Sequence, residues 1–421
     1  MQRLIRYGVP LFCFFLPWQT RLIINRNVIE GQFFEFGIVS LYAVQAILLF
    51  IVAASGWRKI NDAYQRVVLL TALLVIPVLL SLFWSQHQEL ALNALLHISM
   101  AMLFFLLLLD ERVDVRLVML SFCAGLIVPV AIGFSQVAIG SSAASTLLGM
   151  SAHEASRLGE AVTNFFGERT LRAHGGFAHP NVLGGYLAVG LATLFGLWQY
   201  AKKDWHKYGL ILTGAFFAGG LFLTFSQSAW LGLMLALIVS SMIIFLKKTS
   251  ITKMLVIPVA FLVIGAAFGH VFIEGSQGFV DSHIELEQRS LSDRVEEYHQ
   301  FFAFMSPRDY FIGNGAGNYL FALADEYPYQ GWWQYRPIHN VIFLVVGEVG
   351  LFGLICVLLW SSLIDKINFA RFPNQKAVSA FAMGNVILVI LFFDHYLWSQ
   401  WAGLALVAYV MAMTVRLGED D

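Results

Sequence analysis

Histidines, arginines and amides are the side chains that move protons and hold anions, and here they gather in a few polar stretches between long apolar runs. One is Arg169-Thr-Leu-Arg172-Ala-His174-Gly-Gly-Phe-Ala-His179-Pro-Asn181. Another is Tyr335-Arg336-Pro337-Ile338-His339-Asn340. Proline is favoured in the first helical turn, so Pro337 predicts that His339 opens a helix. The partial positive charge of a helix N-terminus disfavours imidazolium. His339 would then stay neutral near pH 7, as a general base must. An interfacial histidine hydrogen-bonded to a neighbouring loop is the competing reading. His174 and His179 invite a metal, but their spacing fits no common zinc pattern. Cys13, Cys123 and Cys356 all lie in apolar runs and read as small core residues, so no metal and no cofactor is expected. Gly313-Asn-Gly315-Ala-Gly317-Asn318 could cradle an anion, but with no strand before it a tight turn entering a short helix fits better.

These stretches are positioned by a chain that is 58% hydrophobic and 13% charged over 421 residues. Soluble domains average about 25% charged residues, so most of this surface must face lipid. A net charge of −1 excludes a nucleic-acid footprint. A bilayer core needs about 20 apolar residues per helix. Twelve windows qualify: 5–24, 33–54, 67–84, 91–109, 116–139, 181–200, 208–225, 227–246, 254–273, 338–363, 376–393 and 396–416. The expected fold is therefore all-α and polytopic, a single transmembrane domain over 1–421. No cleavage site follows the first apolar run, which reads as a retained span. The seventh and eighth windows almost touch at Phe225-Ser226-Gln227, which predicts a tight helical hairpin.

The positive-inside rule places both termini in the cytoplasm. On that topology all nine lysines lie inside, and the nine outer cations are all arginine. Arginine's planar fork suits phosphate or carboxylate better than a lysine point charge does, although pairing with outer acids or headgroups would also retain it. Two outer segments are long, about 140–180 and 274–337, and loops of that size are usually functional or disordered. The second is rich in acids and aromatics and reads as a folded lid. Ser292 is expected to cap a helix that runs to about Met305 and stops before Pro307. Arg294 and Tyr298 share a face of that helix. Glu348, nine residues past His339, points nearly opposite and reads as a brace between helices. Polar residues collect at the outer rim and no repeat is visible, which favours an interfacial enzyme over an ion-coupled carrier.

At these positions the chain resembles the O-antigen ligase family, which also includes O-antigen polymerases and bacterial protein O-oligosaccharyltransferases. Gly176-Phe-Ala-His179-Pro-Asn181 with Leu183-Gly-Gly-Tyr186-Leu187 resembles the family's entry to a span. Leu223-Thr-Phe-Ser226-Gln-Ser-Ala-Trp230-Leu-Gly232 resembles its hairpin. Ser292-Asp-Arg294 with Gly313 to Asn318 resembles its large loop, and His339-Asn340 with Glu348-Val-Gly350-Leu-Phe-Gly353 its terminal signature. Many relatives carry arginine after the hairpin serine, where this chain has Gln227. Arg172 and Arg169 are the candidates to replace it.

The resemblance implies a GT-C type, metal-independent, inverting glycosyltransferase in a bacterial inner membrane, with its site on the periplasmic side. It implies a glycan donor on undecaprenyl pyrophosphate. The acceptor would be a sugar hydroxyl, on lipid A–core for a ligase or on a growing glycan for a polymerase. His339 would be the base and Arg172, Arg294, Arg336 and Arg169 would hold pyrophosphate. Asn340, His174, His179, Asn181, Gln227 and Tyr298 would support them. A lipid-linked glycan transporter is the reading from a different class.

Overall fold

The computed structural model describes residues 2–55, 65–157, 159–165, 168–246, 279–331, 334–370 and 375–417. Among them the chain is mostly helical, with α1 (Gln2–Phe15), α2 (Ala43–Ser55), α3 (Gln65–Ser81), α4 (Gln88–Leu108), α5 (Val115–Ile139), α6 (Pro180–Trp198), α7 (Asp204–Thr224) and α8 (Gln227–Leu246). The lid holds α9 (Phe279–Phe304), α10 (Pro307–Ile312) and α11 (Tyr319–Glu326). Then come α12 (Val341–Ala370), α13 (Gln375–Phe393), the short α14 (Tyr396–Ser399) and α15 (Trp401–Arg416). Five of the described helices are long and apolar enough to cross a membrane: α4, α5, α6, α7 and the first 24 residues of α12. Five more are apolar but shorter. The window 254–273 lies outside the described residues.

The first two windows are corrected. Helix α1 stops at Phe15, and the chain then forms a hairpin of β1 (Arg21–Ile29) and β2 (Gln32–Tyr42) before α2 begins. The reason is local. The β1 run Leu-Ile-Ile-Asn-Arg-Asn-Val-Ile is rich in β-branched residues, which suit a pleated surface. Glu30 and Gly31 both have positive φ, at 52° and 73°, the geometry of a two-residue hairpin turn that matches strand twist. Arg21 pairs with Glu35 across the two strands at 2.8 Å.

Helix α6 sits at the centre, packed against α5, α7, α8 and α13. Its sequence explains the position. Gly184 and Gly185 lie where a Cβ would strike Ser226 and Tyr396, and Gly190 is pressed by Leu126 and Phe217. Small residues let helix backbones approach closely where no water drives association.

The bundle has two distinct polar ends. At one, the Arg416 guanidinium donates to the carbonyls of Leu108, Asp110 and Val113, joining α15 to the α4–α5 turn. At the other, Thr20 meets the Leu147 carbonyl, Ala173 N–H meets Leu223, and Trp84 and His87 bond Gly313 and Asn318 of the lid. The β hairpin, the 140–180 loop and the lid therefore share one end. The expected helical hairpin is there too, with α7 closing on Phe225 in the left-handed region at φ 50°.

Helix α9 starts well before Ser292, so Ser292 is interior and not an N-cap. It does end before Pro307, where Ser306 and Asp309 form a capping box for α10. Pro337 likewise falls outside α12, whose first N–H groups, from Ile342 and Phe343, are capped by the Asn340 side chain. Within α12, Gly350 has φ 72° and breaks the helix. The freed carbonyls of Gly347 and Glu348 accept from the N–H groups of Asn314 and Gly315. The glycine-rich turn thus spends those donors on a broken helix, satisfying polar backbone that lipid could not, and it does enter the short helix α11. Glu348 accepts from Trp398 Nε1 at 2.8 Å, a brace between α12 and α14.

Gly350→Ala should lower the melting temperature of the detergent-purified protein by several degrees. Its φ is left-handed and a Cβ would collide with the Phe311 carbonyl, a strain of about 1–3 kcal/mol before the clash is counted. Gly384→Ala, with open space at its Cβ, should leave it unchanged or raise it slightly.

Candidate active site

His339 stands directly before Asn340, the cap of α12, and its environment is set by the lid. Glu297 of α9 reaches down and accepts from the His339 N–H at 3.0 Å. Both carboxylate oxygens lie 2.9 Å from His339 Nδ1. An ionised carboxylate only accepts, so Nδ1 carries the proton and the lone pair of neutral His339 sits on Nε2. The side chain of Glu297 is 10% exposed and that of His339 26%. Burial alone would lower the histidine pKa, and Arg294 acts in the same direction. The hydrogen bond and charge of Glu297, with the charge of Asp394, outweigh both and raise it above the usual value. The expectation considered only the helix terminus; the lid carboxylate acts in the opposite sense and strengthens His339 as a base. Of the groups that raise the His339 pKa, the lid carboxylate comes first.

Next to His339 lies a pair from the α13–α14 junction. The His395 ring meets the His339 ring edge-on, with centroids 5.2 Å apart. Asp394 is buried. It accepts from the His395 N–H at 2.8 Å and from Asn181 Nδ2 at 2.7 Å. Burial would raise its pKa, but His395, His339, His179 and the Asn181 bond reverse that and keep it low. Burial pushes the His395 imidazole down to about 4 against the pull of Asp394. At neutral pH the pair is thus a buried carboxylate beside an uncharged imidazole.

Asn181 carries the network on to α6 and the α7–α8 turn. Its Oδ1 accepts from Arg172 Nη2 at 2.7 Å. Arg172 also donates to the carbonyls of Thr224 at 2.8 Å and Phe225 at 3.3 Å. This clamp explains how Phe225 is held in a left-handed conformation that a bulky residue seldom adopts. Burial lowers the Arg172 pKa to about 10, with Asp394 opposing. The guanidinium stays charged, and its hydrogen bonds go to neutral oxygens. His179, the N-cap of α6, accepts from Asn181 N–H through Nδ1 and is held uncharged, chiefly by burial and then by Arg172.

The other expected residues divide. Arg294 is half-buried one turn before Glu297 on α9 and acts on His339 through its charge. Tyr298 accepts from Asn340 Nδ2 at 3.2 Å. Arg336 sits at the rim, paired with Asp293 at 3.0 Å with both side chains about half exposed. Arg169 donates to the carbonyls of Ala155 and Arg157 on the exposed side of its loop. His174 stacks on His153 with ring centroids 4.1 Å apart. Gln227 opens α8 with an exposed side chain, directly after the turn that Arg172 clamps. Of the two candidates to replace the hairpin arginine, Arg172 is therefore the one at the hairpin.

Sequence reasoning passed over Asp394, His395 and the role of Glu297. The signal for the first two was present: an acid and a histidine fill the whole two-residue gap between windows 376–393 and 396–416. Glu297 was one acid among many in its loop, and nothing local distinguishes it.

Comparison with protein families bears on this stretch directly. Residues 212–358, from within α7 through the lid and His339 to Gly350 and beyond, match the family model described as O-antigen ligase. Over that stretch, about a third of the chain, the sequence is similar to the O-antigen ligase family. No curated protein matches the chain significantly. The match supports activity of the O-antigen ligase or polymerase type in general, with a lipid-linked glycan and an acceptor as the kind of substrates. Arg172, His179, Asn181 and Asp394 all lie outside the matched stretch, so their part in the site rests on geometry alone.

Arg172→Lys should destabilise the protein by about 1–3 kcal/mol, because an ammonium's donors radiate from a single nitrogen and cannot reach three oxygens spaced for a planar guanidinium fork. Thermal denaturation in detergent measures it, and an unchanged melting temperature would remove the clamp.

Proposed function

We propose that the protein is an O-antigen ligase, transferring a glycan from undecaprenyl pyrophosphate to a sugar hydroxyl of lipid A–core at the periplasmic face of a bacterial inner membrane. The observation that carries the reading is the Glu297–His339 pair. It leaves a histidine lone pair aimed from the lid end of the bundle, beside a buried, carboxylate-braced polar network.

In the reaction, the acceptor hydroxyl gives its proton to His339 Nε2 as its oxygen attacks the anomeric carbon. The bond from that carbon to the pyrophosphate oxygen breaks, and the electron pair leaves with undecaprenyl pyrophosphate. Glu297 stabilises the imidazolium that forms, and solvent later takes the proton. A single displacement inverts the anomeric centre. Arg172 and Arg294 balance the departing charge in a poorly solvated site, the role a divalent ion fills elsewhere. Arg336 can join them by exchanging Asp293 for phosphate at the rim. The activated pyrophosphate supplies the driving force, so neither nucleotide nor metal at the reacting atoms is required. The prenyl tail would lie against the apolar helix faces.

A cavity beside this cluster supports a carbohydrate acceptor. Its wall includes Phe36, Tyr42, Asn93, Pro337, Trp398 and Ser399, aromatic faces with a few polar groups, as small-molecule pockets typically are. Ser399 connects it to the site through a 2.8 Å contact with His395 Nδ1.

Purified protein incubated with a polyprenyl-pyrophosphate glycan and lipid A–core, without added metal, should form the glycosylated core. His339→Ala should lower the rate by about 10²–10⁴, the usual contribution of a general base. Elongated lipid-linked glycan without acceptor modification would make the protein a polymerase. Undiminished transfer by the variant would remove His339 as the base.

A further inference from the structure

The 140–180 loop contains a cluster that the transfer chemistry does not use. His153, Glu160 and His174 come from three separate points of the loop. One ligand-capable atom from each lies within 4.8 Å of the other two. We propose that they bind one divalent transition-metal ion of the zinc class, as a structural site.

The donor set is two imidazoles and a carboxylate, a combination that zinc accepts. His174 is prepared for it. Its Nδ1 is 2.8 Å from the Arg172 carbonyl, which only accepts, so Nδ1 holds the proton and Nε2 holds the lone pair. Metal-ligating histidines almost always donate their second N–H to a carbonyl or carboxylate in this way. His174 is only 2% exposed, and among the described residues Nε2 makes no hydrogen bond. His153 Nδ1 is 2.7 Å from Glu160 Oε2, with the two side chains 13% and 12% exposed. The carboxylate thus brings negative charge to the imidazoles and is already close to the ring it would share an ion with. Metal–ligand bonds of about 2.0–2.1 Å place tetrahedral donors about 3.3 Å apart, so no donor pair would have to move by more than about 1.5 Å, and the His153–Glu160 pair would open slightly.

The location gives the ion a task. The loop has little regular structure: two-residue strands β3 (Ser141–Ser142) and β4 (His153–Glu154), and a short hairpin of β5 (Val162–Phe165) and β6 (Glu168–Leu171). It is tied to α5 where Gln136 Oε1 accepts from His174 and Gly175 N–H. An ion joining positions 153, 160 and 174 closes the loop on itself directly beside Arg172. It would hold the segment that presents the Arg172 guanidinium and His179 without touching substrate. The inference stands independently of the proposed transfer reaction, and its test does not use activity.

The full chain, purified in detergent with any histidine tag removed, should take up one zinc ion per molecule in a titration with Zn²⁺ against a chromophoric chelator. Zinc should raise its melting temperature by several degrees. His153→Ala and Glu160→Gln should each weaken zinc binding at least about tenfold and abolish the thermal shift. Both should melt with the chelated wild type when excess EDTA is present, which shows that they fold. Stoichiometric zinc lost in both variants supports the site. Absence of zinc uptake by the wild type, or equal uptake by both variants, overturns it.

Discussion

A buried charge in a membrane protein persists only where other groups compensate it, and the compensation of two charges organises this end of the bundle. Asp394 is a buried carboxylate held by Asn181 and a backbone N–H. Arg172 is a desolvated guanidinium held by two carbonyls and the same Asn181. The Asn181 amide offers a donor N–H to one and an acceptor oxygen to the other from a single planar head. Asn181 therefore fixes where α6 starts relative to the α7–α8 turn and the α13–α14 junction. Unpaired buried charges are strongly destabilising, so these three elements cannot separate independently. The result is a rigid floor beneath the lid.

The lid contributes one decisive contact to that floor. Glu297 holds both the backbone and the ring of His339, so the position of the lid and the basicity of the imidazole are a single variable. Loss of the Glu297 carboxylate with α9 in place would leave burial and Arg294 opposed only by Asp394, and would reduce the strength of His339 as a base. The break in α12 at Gly350 belongs to the same construction. It lets the glycine-rich turn of the lid pair with helix carbonyls, seating the lid at a fixed depth.

The sequence made some of this legible for physical reasons. Hydropathy finds helices because lipid demands long apolar runs, and the α7–α8 hairpin, the helical lid and the polar end followed from that. The β hairpin at 21–42 was hidden because its residues are also apolar enough to pass as parts of spans. Its turn is Glu30-Gly31, not one of the strongest turn pairs, and the alternation that marks a strand was submerged in the window average. At the site, Pro337 drew attention to His339 and the spacing from Arg294 drew attention to Tyr298, while Asn340 and Arg172 were singled out through the family resemblance. The Glu297 contact was not, because Glu297 and His339 lie 42 residues apart and nothing local ties one acid of α9 to the histidine. Arg169 lies three residues from Arg172 yet is exposed, donating to the carbonyls of Ala155 and Arg157, and the sequence alone did not separate the two.

The central claim is that Glu297 makes His339 a base of raised pKa. The direct test is the pH dependence of kcat/KM for glycan transfer by wild type and Glu297→Gln, which keeps an acceptor in place and removes the charge. In the proposed mechanism transfer needs unprotonated His339, so the rate should rise with pH through its pKa. The acid limb of the wild type should lie above the ordinary histidine range. In the variant it should move to lower pH, with a maximal rate reduced by about 10²–10⁴, the range expected when an imidazole loses its orienting carboxylate. An acid limb that stays in place with an undiminished plateau would contradict the account.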